Sequence, residues 1–227
     1  YKIMGLAPYG EPRFRSLILD HVMELKEDGS FHMDMSYFNY CQGLTMTSDR
    51  FHNLFGGPPR QPESELTQRE MDLAASVQAV TEEVMLKSAQ HLHETTGEKN
   101  LVMAGGVALN CVGNGCLLRE SPFDDIWIQP AAGDAGGALG TAMFIWHQLL
   151  ERPRQSRQSD VQKGSYLGPS YDDETVAEFL KSVDAEFETC ATDHELCEQV
   201  ADLIDSENVI GWFQGRMEFG PRALGAR

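Results

Sequence analysis

The segment QPAAGDAGGALGTA, residues 129 to 142, sets a lone carboxylate, Asp134, among four glycines: Gly133, Gly136, Gly137 and Gly140. It follows the apolar run Ile126-Trp127-Ile128. A carboxylate in that position offers two kinds of chemistry. As a helix N-cap it would accept a hydrogen bond from an orphan amide, worth about 1 kcal/mol. As a hard oxygen donor it would hold a divalent cation. A second glycine segment, GGVALN (Gly105 to Asn110), follows the run NLVMA. In open α/β folds ligands bind outside the carboxyl ends of strands. There the next helix offers free N–H groups to an anion, and glycine lets the backbone approach closely. Each loop points to ligand binding, with a tight turn as the alternative, and the pair together predicts a phosphate-bearing ligand.

The elements that must position these loops follow from periodicity and punctuation. YKIMGLAPYGEPRF reads as a Gly/Pro turn region. A helix is expected from Phe14 to Leu25, then a turn at Asp28-Gly29 and a short strand. FGGPPRQPESELTQ reads as loop, because three prolines exclude regular pairing. Leu73, Val77, Val80, Val84 and Leu92 recur at helical spacing and predict a long helix over 67–95, closed by Gly97. Asn100 to Ala104 reads as a short buried strand, followed by a helix carrying Leu117 and Leu118. The strand Asp125 to Gln129 and a long apolar helix from Ala135 to Leu150 complete the block. Helix and strand alternating at this spacing indicate an α/β layer architecture. The polar, proline-bearing stretch 151–165 reads as a linker. Beyond it, a helix capped by Ser170 or Asp172, a helix from Asp193 to Asp205 and a strand NVIGWFQG are expected. Trp127, Trp146 and Trp212 lie on apolar elements and are expected in the core.

Composition bounds the partners. The 227 residues are 41% hydrophobic, enough for one large or two small cores, and carry a net charge of −17. That charge opposes a nucleic-acid or anionic-membrane surface, and no apolar run approaches the roughly 20 residues of a membrane span. Five cysteines, none in a C-x-x-C pair, read as reduced cytoplasmic thiols. The chain starts at Tyr1 and stops just after a glycine-bearing turn, so it is expected to be a piece of a longer protein.

Five blocks in order resemble the O-carbamoyltransferases of the nodulation and antibiotic-tailoring type. They are KIMGLAPYG (Lys2 to Gly10), LTQREMDLAASVQ (Leu66 to Gln78), LVMAGGVALNCVGNG (Leu101 to Gly115), IWIQPAAGDAGGALGTA (Ile126 to Ala142) and GWFQGRMEFGPRALGAR (Gly211 to Arg227). The resemblance implies half of an actin/Hsp70/sugar-kinase-like (ASKHA) transferase domain, Kae1-like, over 1–150. It places the start of a carboxyl-terminal, YrdC-like α/β domain at 166–227. It also implies a two-stage reaction: carbamoyl phosphate and ATP give carbamoyl-adenylate, and the carbamoyl group then passes to a hydroxyl of a sugar-like or other small-molecule acceptor. ATP brings the prospect of Mg²⁺. A divalent metal, iron(II) in the family, is held there by two histidines of an H-x-x-x-H helix and one aspartate, which matches Asp134.

Other roles carry over from the same resemblance. Gly105, Gly106 and Asn110 would hold the adenine nucleotide, with Gly133 and Gly136 in the matching loop. Lys2, Gly5 and Gly10 would border the cleft. Arg216 and Arg222 suit bidentate phosphate or carboxylate contacts, with ion pairing to Glu218 as the competing role. One departure stands out: no H-x-x-x-H occurs in this sequence, and His91 and His93, two apart on a helix, point to different faces. The family's metal histidines are therefore expected upstream of Tyr1, and the piece alone is expected to be inactive. Two other readings remain: a threonylcarbamoyl-type tRNA-modifying relative, disfavoured by the acidic charge, and a non-catalytic nucleotide-binding fragment.

Overall fold

The computed structural model describes residues 2–155, 159 and 162–220. Contacts divide the chain into two units, Tyr1–Gly133 and Asp134–Arg227. The first begins with α1 (Lys2–Leu6), a 3-10 turn at Ala7–Tyr9, and α2 (Arg15–Leu17), which runs into a π turn at Ile18–Val22. A hairpin of β1 (Met23–Leu25) and β2 (Phe31–Met33) follows, then α3 (Asp49–Leu54) and the long α4 (Gln68–Thr96). The unit ends with β3 (Asn100–Met103), a 3-10 turn at Gly106–Leu109, α5 (Cys111–Glu120) and β4 (Asp125–Ile128). The architecture is mixed α/β with two small sheets.

The long helix carries the unit. It starts at a capping box, in which Thr67 and Glu70 satisfy each other's backbone amides, a feature worth about 1 kcal/mol. Gly97, in left-handed conformation, ends it. One stretch of α4 brings Val80 to a cluster of Ile18, Val22, Met23, Tyr37 and Phe55. Further along, Met85 and Ala89 pack with Leu117 of α5 and with Phe123, against half-buried Leu101 and Met103 of β3. Burying a Leu or Phe side chain fully contributes about 1.5–3 kcal/mol, so these two clusters hold α2, the hairpin, α3 and the β3–α5–β4 layer to one rod.

Several expectations need correction. The opening turn region contains a helix, α1; Pro8 interrupts nothing, because it sits in the first turn of the following 3-10 segment, where no N–H is required. The helix expected over 14–25 is α-helical only to Leu17. The turn at Asp28-Gly29 sends Phe31–Met33 back, and Met23–Leu25 pairs with it antiparallel, Met23 opposite Met33. A returning strand must find backbone partners, and this segment supplies them. The strand over 100–103 is not fully buried either. Only one face of the two-stranded parallel sheet β3–β4 is covered, so alternate residues stay in water. Val102 and Trp127, paired in register, are 69% and 52% exposed.

The second unit contains α6 (Asp134–Phe144), which runs into a π turn at Ile145–Leu149, and a 3-10 turn at Lys163–Ser165. It also contains α7 (Asp173–Ser182) and α8 (Asp193–Asp205). Asp172 caps α7 by accepting the Thr175 amide at 2.9 Å, and Thr192 caps α8. Part of the expected linker is packed: Ser165 is buried and its carbonyl accepts the Phe219 amide at 2.7 Å. Segment 208–214 is not a strand, since no strand among the described residues of this unit is available to pair with it. Trp146 and Trp212 are 52% and 39% exposed, so none of the three tryptophans lies in the core. Among the described residues no helix is long and apolar enough to cross a membrane.

Candidate functional site

The parallel register of β3 and β4 runs from Asn100 opposite Asp125 to Met103 opposite Ile128, so both strands end at the same level. Two loops emerge there. Gly105 turns the chain at φ +102°, a conformation that strains any residue with a Cβ. Its amide donates to the Ala132 carbonyl at 2.7 Å, joining the loop after β3 to the loop after β4. Gly133 completes the contact: a Cβ there would lie 3.7 Å from Leu109 Cδ1 and 3.9 Å from the Gly106 Cα. Ala131 and Ala132 are buried beneath, while residues 104–107 face solvent. Gly105, Gly106 and Gly133 are therefore brought together as an open backbone surface.

Asn110 closes this loop, but its side chain is already engaged. Its Oδ1 accepts the Gly113 amide at 3.0 Å, capping α5. Its Nδ2 donates to Gln78 Oε1 at 2.9 Å, and Gln78 Nε2 donates back to Asn110 Oδ1 at 3.2 Å. The neighbouring Cys111 thiol meets Met4 Sδ at 3.7 Å, which sets α1, opened by Lys2 and containing Gly5, beside the start of α5. Nothing would obstruct a Cβ at Gly5.

Gly10 has a different job. It lies on the backbone of α4, where a Cβ would collide with Met71 and Asp72. The chain beyond it is held by α4 side chains. Asp72 accepts the Glu11 amide at 2.9 Å and Gln68 Nε2 at 2.8 Å, with the Arg13 guanidinium at 3.4 Å. These hydrogen bonds, the Glu11 amide first, hold the Asp72 carboxyl below the usual carboxylate range. Ser76 Oγ accepts the Phe14 amide at 3.0 Å and donates to the Asp72 carbonyl at 2.6 Å.

Residue-type reasoning missed Asp72, Ser76 and Gln78. All three are buried polar residues on α4. A signal existed: polar side chains at 72 and 76 share a helix face with small apolar neighbours, a pattern that marks an inward polar seam.

A separate cleft is lined by Arg15, Glu82, Glu83, Lys87, Cys116 and Glu120 among others. Burial, together with the Glu120 carboxylate that its thiol faces at 3.5 Å, pushes the Cys116 thiol up, which lowers its thiolate fraction.

In the second unit Asp134 is the first residue of α6 and is exposed, and Gly136 lies within the helix. Among the described residues the Asp134 carboxylate has no hydrogen-bond or ion-pair partner, so the capping bond of the simpler reading is not formed. Its charge lies at the positive end of the α6 dipole. Among the described residues no group of three or more His, Cys, Asp or Glu side chains could hold a metal ion. Asp134 is thus at most one donor of a set. Arg216 donates through Nη1 to the Gly168 carbonyl at 2.6 Å; Arg222 lies outside the described residues.

The comparisons with known proteins point one way. The family described as "Carbamoyltransferase N-terminus" matches residues 1–143, and "Carbamoyltransferase C-terminus" matches residues 201–227. An uncharacterized protein of Synechocystis sp. is 57% identical over the whole chain, which spans 37% of that relative. Nodulation protein NolNO of Sinorhizobium fredii is 38% identical over the whole chain, which spans 31% of it. The 3'-hydroxymethylcephem-O-carbamoyltransferase of Streptomyces clavuligerus is 25% identical over the whole chain, which spans 37% of it. The chain thus covers roughly a third of the length of these relatives, and on the match over residues 1–143 it belongs to the carbamoyltransferase family.

Proposed function

We propose that this chain is part of an ATP- and carbamoyl-phosphate-dependent O-carbamoyltransferase, and that its first unit belongs to an ASKHA-type transferase domain. The observation that carries the reading is the meeting of two glycine loops at the carboxyl ends of parallel β3 and β4, where Gly105 bonds to Ala132 and Gly133 lies against Gly106. Such a surface suits the phosphate of an adenylate, because backbone can approach it without side chains between. Gly105, Gly106 and Gly133 would take the adenine nucleotide of carbamoyl-adenylate, with Lys2 and Gly5 at the border. The Streptomyces relative is named for transfer to a hydroxymethyl oxygen, which favours a hydroxyl acceptor, sugar-like or other. With five free cysteines, the reaction fits the reducing cytoplasm.

Asp134 follows Gly133 directly in the chain, and its unpaired carboxylate is suited to a divalent ion, iron(II) in the family. Such an ion would supply Lewis acidity toward an oxygen of the mixed anhydride. The remaining donors would come from outside the described residues. Arg216, and Arg222 with it, would serve the phosphate or carbamoyl group in the carboxyl-terminal domain.

The test uses the whole polypeptide that carries this chain and reads the two stages apart. Asp134→Ala is expected to lower carbamoyl transfer at least about 100-fold, since metal polarisation supplies several kcal/mol. Pyrophosphate release from ATP with carbamoyl phosphate is expected to stay at the unmodified rate. Transfer retained in that variant removes Asp134 from the mechanism.

A further inference from the structure

The block LTQREMDLAASVQ ends on Gln78, a residue with no role in the reading so far. It is 8% exposed, and the polar atoms of its amide are engaged. Nε2 donates to Asn110 Oδ1 at 3.2 Å and to Glu82 Oε1 at 2.7 Å, while Oε1 accepts Asn110 Nδ2 at 2.9 Å. The reciprocal pair spans thirty-two residues and joins the middle of α4 to the last residue of the glycine loop.

The pair also fixes which way round the Asn110 amide lies. Asn110 Oδ1 must face the Gly113 N–H to cap α5, so a flipped amide would point donor at donor there. Glu82 accepts from Gln78 Nε2, which fixes Gln78 in the orientation that complements this one. Glu82, Gln78, Asn110 and Gly113 therefore form one directed chain from the rigid rod to the N-terminus of α5. A buried amide deprived of such partners costs more than the bond itself contributes, so the loop is held where Gln78 holds Asn110.

We infer that Gln78 is a positioning residue for the nucleotide loop: it acts through Asn110 to set Gly105–Asn110 in the geometry that receives the adenylate. The inference rests on the nucleotide reading given above. It assigns Gln78 no contact with substrate. It makes affinity at the loop depend on a side chain on the neighbouring helix.

The experiment titrates the whole polypeptide with the non-hydrolysable analogue AMP-PNP and follows hydrogen exchange of the amides in residues 105–113, so that binding is read at this loop alone. The unmodified protein is expected to gain protection there. Gln78→Ala is expected to raise the apparent Kd at these amides at least about 10-fold. Gln78→Met keeps the length of the side chain but loses both donor and acceptor, and should raise it by a similar factor. Because Gln78 acts through Asn110, adding Gln78→Ala to Asn110→Ala should produce no further loss; independent packing roles would give additive losses.

Each outcome decides something. No protection in the unmodified protein overturns the nucleotide reading, and this inference with it. Protection that Gln78→Ala leaves at the same Kd overturns the positioning role alone. Should Gln78→Ala fail to fold, Gln78→Met, which leaves no cavity, decides, and wild-type affinity in that variant overturns the inference.

Discussion

α4 and α8 carry the same kind of sequence signal: apolar residues at helical spacing, a threonine N-cap and acidic residues in the first turn. Their fates differ. α4 buries eight residues, three of them polar, while α8 buries none, and neither do α6 and α7. Every buried apolar residue among those described lies at or before Ala132. Amphipathicity decides that a helix forms. Burial depends on a partner surface, and in the first unit α4 meets two of them. The difference also separates two kinds of glycine loop. The loop after β3 is backed by Ala131, Ala132 and the Gln78–Asn110 pair, whereas the Asp134 end of α6 presents an unpaired carboxylate.

The largest expected effect tests whether the first unit is held as described. Leu117 is 1% exposed and packs with Met85, Ala89 and Phe123. Leu117→Ala should cost about 2–5 kcal/mol, because the packed neighbours cannot collapse fully into the space. Denaturant unfolding followed by far-ultraviolet circular dichroism measures it. A cost below 1 kcal/mol would mean that α4 and α5 are not held by this cluster.

A smaller effect should appear on acidification. The Thr67 hydroxyl and, to a lesser degree, the Arg69 guanidinium hold the Glu70 carboxyl down at about 2, against an ordinary value of 4.5. The folded state therefore binds fewer protons than the unfolded one between these values, so stability rises with pH there. This contribution is complete above pH 4.5 and is lost as pH falls through about 2. Asp72, lowered chiefly by the Glu11 amide, acts in the same direction. Melting temperature should fall between pH 6 and pH 3, and should fall less in Glu70→Gln. An equal fall in both proteins would remove the capping box from the stability of α4.

Much of this was legible in the residues. The bounds of α4 and α8, the Asp172 cap and the order of strands and glycine loops follow from local signals that act over a turn or less: capping, helical period and the left-handed Gly97. What escaped depends on partners distant in sequence. Met23–Leu25 reads as helix until Phe31–Met33 returns beside it. Trp127 reads as core until the sheet proves to have one bare face. In the candidate site, glycine spacing pointed to Gly105, Gly106 and Gly133, which the structure brings together. Gln78 could not be found that way, because its meaning lies in Asn110, a residue of another element.

The smallest expected effect puts the comparison at risk from the other side. Phe179 on α7 is 62% exposed, and α7 buries no residue. Serine there removes an aromatic ring from water without opening a cavity, so Phe179→Ser should change the unfolding free energy by no more than about 0.5 kcal/mol. Val176 on the same helix is also 42% exposed, and contiguous exposed apolar patches on folded proteins ordinarily mark covered surfaces. If Phe179→Ser in the whole polypeptide costs what a core substitution costs, α7 is buried against something, and the contrast with α4 is one of partner and not of kind. If the variant unfolds with the parent, the helices after Asp134 hold their form by caps and local hydrogen bonds, and the stability measured through Leu117 belongs to the first unit.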